Sequence, residues 1–114
     1  MKLVVITVLV ASSAFAQAPA DSINHIVDSL FVRASSISVY YGDLVQPAKQ
    51  SLSLMGESAV PRLIEKMTTQ DAREMQTLED VFKLIGHPAV PGLVDALGSN
   101  DVYRRRLAAR ILGE

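Results

Sequence analysis

His25 and Asp28 stand three residues apart, which on a helix would put an imidazole and a carboxylate on one face, as a metal site needs. No further ligand follows at metal spacing, so the pair reads as a solvated histidine beside an acid. Gly56-Glu57-Ser58-Ala59 has the outline of the Gly-x-Ser-x-Gly turn that raises a nucleophilic serine. Val60 replaces the final glycine and no strand pattern precedes it. Ser35, Ser36 and Ser38 have no lysine or histidine close in sequence to activate them. Glu79 and Asp80 are adjacent, so on a helix they project about 100° apart and do not converge as an acid–base pair. Cysteine is absent, which excludes disulfides, thiolate nucleophiles and zinc–thiolate sites. The residues therefore predict a protein without catalysis, metal or cofactor.

The strongest concentration of charge is Arg104, Arg105, Arg106 and Arg110. It reads as a solvated helix face or as a docking point for an anionic partner. A net charge of −1 argues against nucleic acid. Apolar residues form 49% of the chain, with few aromatics and no tryptophan, which suits helices packed through Leu, Val, Ile and Ala.

Three stretches carry the elements before the centre of the chain. Lys2, the apolar run Leu3 to Ala11, and Ala14-Phe15-Ala16 have the layout of a secretory signal peptide cleaved after Ala16. The run falls short of the roughly 20 residues of a membrane span, so no lasting anchor is expected. Ile23, Ile26, Val27, Leu30, Phe31 and Ala34 make one helical stripe. Tyr41, Leu44, Val45, Ala48, Leu52 and Met55 make a second, in which Gly42 and Pro47 demand a kink or a helix start.

From Gly56 the chain repeats. Gly56-Glu57-Ser58-Ala59-Val60-Pro61-Arg62-Leu63-Ile64-Glu65-Lys66-Met67 aligns with Gly86-His87-Pro88-Ala89-Val90-Pro91-Gly92-Leu93-Val94-Asp95-Ala96-Leu97 at an offset of 86 − 56 = 30 residues. Pro88 falls at the Ser58 position and His87 at that of Glu57, which makes both corner residues. Val60, Leu63, Ile64 and Met67 predict one apolar helix face, as do Val90, Leu93, Val94 and Leu97. The glycines end the preceding helix and the prolines sit in the first turn of the next. Between the copies, Asp71 and Glu74 have capping-box spacing before a helix lined by Met75, Leu78, Val81, Phe82 and Ile85. Gly98 to Asp101 is a turn and cap before a last helix with Tyr103, Leu107, Ala108, Ile111 and Leu112 inward. A period of this length is the mark of stacked repeats.

This pattern resembles the HEAT-like repeats of the phycobilisome-lyase type. Gly56–Met67 and Gly86–Leu97 carry the first half of that motif. Asp101, Arg105 or Arg106, Ala108, Ala109, Leu112 and Gly113 carry the second. Leu78, Glu79, Val81 and Phe82 depart from it, where the family has an arginine and paired alanines. The likeness spans roughly residues 44–114 and implies an all-α fold: a short right-handed α-solenoid of about three helical hairpins. It also implies that one arginine bridges to the turn aspartate. The expected domains are a signal peptide at 1–16, an amino-terminal capping region at 17–42 and a repeat domain at 43–114. Leu112-Gly113-Glu114 matches Met55-Gly56-Glu57, so the sequence stops where another Ala-Val-Pro helix is expected, as in a piece of a longer array or in a stack whose end another chain covers.

The resemblance and the signal together point to an exported module, periplasmic or secreted, that binds or scaffolds a protein partner. The alternatives are an accessory subunit, lyase-like or chaperone-like, that presents a substrate protein, or a fragment without independent function. For the partner surface, Arg62, Glu65 and Lys66 correspond to Gly92, Asp95 and Ala96. Gly92 and Ala96 are four apart and leave a bare strip, suited either to a groove or to close contact with a neighbouring helix. With Arg104 and Arg105 these are the candidate binding residues.

Overall fold

The structure is a computed structural model and describes residues 20–36 and 39–113. The signal-peptide segment lies outside them. Six α-helices and no strand occur among the described residues. They are α1 (Ala20–Ala34), α2 (Val45–Met55), α3 (Val60–Glu65), α4 (Ala72–Ile85), α5 (Val90–Ala96) and α6 (Val102–Leu112). None is long and apolar enough to cross a membrane. A 3₁₀ segment, Val39–Leu44, leads into α2, so Pro47 falls in a first helical turn and its missing N–H costs no hydrogen bond.

Both copies of the repeated motif fold alike. Gly56 and Gly86 take φ of 56° and 73°, a region that L side chains avoid. A single 3₁₀ turn follows each, Gly56–Ser58 and His87–Ala89, and then α3 and α5 start with proline in the first turn. The two corner turns touch each other. The polar turns also match, at the same offset. Asp71 Oδ1 accepts from Glu74 N at 2.9 Å, and Asp101 Oδ1 accepts from Arg104 N at 2.9 Å. Two residues earlier, the hydroxyls of Thr69 and Ser99 accept from the amides of Asp71 and Asp101. The expected capping box is thus half made. Its return bond comes from Thr69, whose hydroxyl donates to Glu74 Oε1.

The helices pack in two rows. Helices α1, α3 and α5 follow one another in one row, and α2, α4 and α6 in the other, with α1 against α2 and α5 against α6 across them. One continuous core runs between the rows through Val27, Phe31, Leu52, Leu63, Met67, Leu78, Phe82, Leu93 and Leu107. Ion pairs stitch one row. Lys49 of α2, itself buried, donates to Asp80 of α4 at 2.7 Å, and Arg110 Nε of α6 lies 2.5 Å from Glu79 Oε1 of α4. The Glu79 contact is ionic and not aligned as a hydrogen bond, and that buried oxygen has no aligned donor among the described residues.

Three expectations need correction. The apolar face of the first copy is covered, but that of the second is covered only at Leu93, leaving Val90, Val94 and Leu97 exposed. Val60 is 6% exposed and Val90 38%, while Met67 is 0% and Leu97 41%. The reason is position: α5 lies over α3, and no described element lies over the far side of α5. Ile26 and Tyr103, expected inward, are exposed, because the cores of α1 and α6 are carried by Val27, Phe31 and Ala34 and by Leu107, Ala108 and Ile111. The turn aspartate implied by the resemblance as an arginine's partner instead caps its own helix.

Candidate functional site

Gly92 decides how α5 meets α3. A Cβ built on it would come within 2.6 Å of Ile64 Cδ1 and 2.9 Å of Val60 Cγ1, so the helices approach as closely as they do only because no side chain intervenes. The bare strip expected from the sequence therefore lies partly against a neighbouring helix. Ala96, one turn on, is buried. Beside this contact opens a cleft of about 420 Å³, lined by Val60, Pro61, Ile64, Gly92, Asp95, Ala96, Gly98, Ser99 and Arg104. Gly92→Leu is expected to lower stability by about 1–3 kcal/mol through overpacking. Gly92→Ala should lose less, since alanine regains about 1 kcal/mol of helix propensity. Thermal melts of both variants check this, and a Gly92→Leu melt at the wild-type temperature would contradict the close approach.

Arg104 closes one end of the cleft and is already engaged. Its Nε donates to the Ile64 carbonyl at 3.1 Å and its Nη2 to the Glu65 carbonyl at 3.3 Å. These are carbonyls at the end of α3, where the negative end of the helix dipole favours a guanidinium. The carboxylate of Asp95 is exposed and has no side-chain partner among the described residues. The cleft thus has an aliphatic floor and one free negative charge. Arg105 turns away to the loop, donating to the Ser99 carbonyl at 2.7 Å.

Arg62, Glu65 and Lys66 form a different cluster. Arg62 donates twice to Asp28, at 2.9 Å and 2.8 Å, and also to Glu65 at 2.7 Å. Lys66 pairs with the same Asp28 at 2.7 Å and stands over the Phe31 ring, 5.0 Å from its centroid. The hydrogen bonds from Arg62 and then Lys66 hold the Asp28 carboxyl well below the usual carboxylate range. Asp28 therefore serves as the bolt between α1 and α3, and His25, exposed on α1, does not join it. A group depressed in this way adds stability above its unfolded pKa of about 3.9. That stability disappears as pH falls through the lower, folded value. The melting-temperature gap between wild type and Asp28→Asn should accordingly be open at pH 6 and shrink steadily below pH of about 4. A gap that stays constant down the acid range would contradict the assignment.

Of the eight residues singled out from the sequence, Gly92, Asp95, Ala96 and Arg104 come together on the cleft, Arg62, Glu65 and Lys66 meet around Asp28, and Arg105 stands apart. Val60, Pro61, Ile64, Gly98 and Ser99 also line the cleft and are not singled out by the sequence. Their types announce core or turn, and only Val60 and Ile64 lie against the bare Gly92 that the sequence does single out. Compared with known proteins, the chain matches no family model, no curated protein and no solved structure.

Proposed function

We propose that this chain is an exported HEAT-like helical repeat module that holds a segment of a protein partner in the cleft between α3 and α5, without catalysing a reaction. The observation that carries the reading is the cleft itself: a preformed groove between consecutive helices of one row, apolar at its base and bordered by the free Asp95 carboxylate. The repeated corners and the two-row packing support a short solenoid, whose surface is fixed before binding, so that little ordering entropy opposes association. Because Arg104 is occupied by backbone carbonyls, the charge left to attract a ligand is negative. The favoured occupant is a peptide segment with an aliphatic anchor and a neighbouring lysine or arginine. The signal-like residues 1–16 support export, and with export the expected partner is one outside the cytoplasm.

A photo-crosslinking residue at Asp95, compared with one at the exposed Val32 on α1, tests the site in the living cell. The expected result is a discrete adduct from position 95 alone, whose crosslinked peptide is basic and aliphatic. Adducts of equal yield at both positions, or none at 95, would remove the cleft from consideration.

A further inference from the structure

The second row, α2–α4–α6, carries a groove that repeats. Between α2 and α4 an opening of about 270 Å³ is lined chiefly by Val45, Lys49, Arg73, Gln76 and Thr77. Between α4 and α6 one of about 130 Å³ is lined by Met75, Tyr103, Arg106, Leu107 and Arg110. The members correspond at the thirty-residue offset: Val45 with Met75, Arg73 with Tyr103, Gln76 with Arg106 and Thr77 with Leu107. The ion pair beside each groove corresponds too, with its charges exchanged. Lys49 pairs with Asp80, and Glu79, the equivalent of Lys49, pairs with Arg110, the equivalent of Asp80.

Both grooves carry the same free charge. No acidic side chain lines either one, and Asp80 and Glu79 are already neutralised by their partners. Of the α6 arginines, Arg104 and Arg105 are engaged by carbonyls and Arg110 by Glu79, which leaves Arg106. Arg106 and, in the neighbouring groove, Arg73 are exposed and have no side-chain partner among the described residues. A guanidinium presents a planar fork of donors that matches a carboxylate. We propose that these twin grooves receive one acidic peptide segment, with a carboxylate on Arg73 in the first and another on Arg106 in the second. Packed helices stand about 8–10 Å apart, and Arg106 corresponds to a position three residues beyond Arg73, about 4.5 Å along the axis. The two anchors are then about 9–11 Å apart, which an extended chain covers in about three residues. Tyr103 and Met75 give the second groove an apolar wall for the residues of such a segment. A nucleic-acid strand would bring a charge every few ångströms where two cations are free, and the net charge of −1 opposes it. This surface lies on the other row from the α3–α5 cleft and has the opposite charge, so it stands apart from that reading.

NMR titration of the purified protein, as the cell processes it, tests this with a short peptide bearing two glutamates three positions apart among alanines and serines. The side-chain signals of Arg73 and Arg106 should shift together. Arg73→Gln and Arg106→Gln, both at solvated positions, should each raise Kd about three- to fivefold, the contribution of one exposed ion pair. Arg33→Gln, an equal change of charge at an exposed position of α1, should leave Kd unchanged. A peptide with one glutamate should bind more weakly by the same factor as either variant. No shift in the wild type at millimolar peptide overturns the proposal. So does a loss shared by Arg33→Gln, or a single-glutamate peptide bound as tightly as the double one. Tighter binding of a short oligonucleotide through the same two arginines overturns it in favour of a phosphate chain.

Discussion

Met67→Ala lowers the stability of the fold by about 2–5 kcal/mol, the cost of emptying a fully buried site, whereas Leu97→Ala costs less than about 1 kcal/mol. The two residues hold the same place in the repeated motif, thirty residues apart. Their neighbours differ. Met67 is sealed within the core, and Leu97 is 41% exposed on the far side of α5. For a domain of this size each kcal/mol moves the melting temperature by about 4–8 °C, so the contrast is readable in a simple thermal scan. Equal losses at the two positions would mean that the second copy is covered as the first is, and the uncovered face of α5 would have to be abandoned.

Asp80→Ala is the second large effect. Lys49 keeps only a small part of its side chain in solvent and loses its ionic partner when Asp80 is removed. An unpaired buried ammonium costs about 3–5 kcal/mol, and the partial exposure of Asp80 reduces this to about 2 kcal/mol here. Lys49→Met should cost less than Asp80→Ala, because the carboxylate it leaves behind is partly exposed and keeps its hydrogen bond from Gln76, whereas Asp80→Ala strands the more deeply buried ammonium. Burial alone would raise the Asp80 carboxyl, but hydrogen bonds from Lys49 and Gln76 outweigh it and leave it lowered. The Asp80 contribution is therefore complete above the unfolded pKa of about 3.9 and fades as the solution is acidified through the folded value. Urea denaturation of the two variants at neutral pH separates them. If Lys49→Met proves as damaging as Asp80→Ala, the pair contributes attraction and not merely relief from an orphaned charge.

How far the sequence discloses this molecule depends on the range of each interaction. The corners are legible because Gly56 and Gly86 must supply positive φ, and Pro61 and Pro91 must open helices, whatever surrounds them. The stripe of α3 is legible for the same local reason. The stripe of α5 is misleading, since Val90 and Val94 have the right spacing but lack a covering helix, and coverage is a tertiary fact. Asp28 with Arg62 lies beyond local pattern altogether, thirty-four residues apart, and reads from sequence as half of a histidine pair. Arg104 is harder still. Its partners are backbone carbonyls, which leave no trace in residue identity.

That same guanidinium has a consequence for how the chain comes apart. The Ile64 carbonyl at the end of α3 accepts from a residue forty positions later, in the final helix, which ties that end to the next unit. Neighbouring repeats are then coupled in their melting. Amide exchange in α3 should slow and quicken together with exchange in α6, as one cooperative block, instead of fraying from either terminus unit by unit.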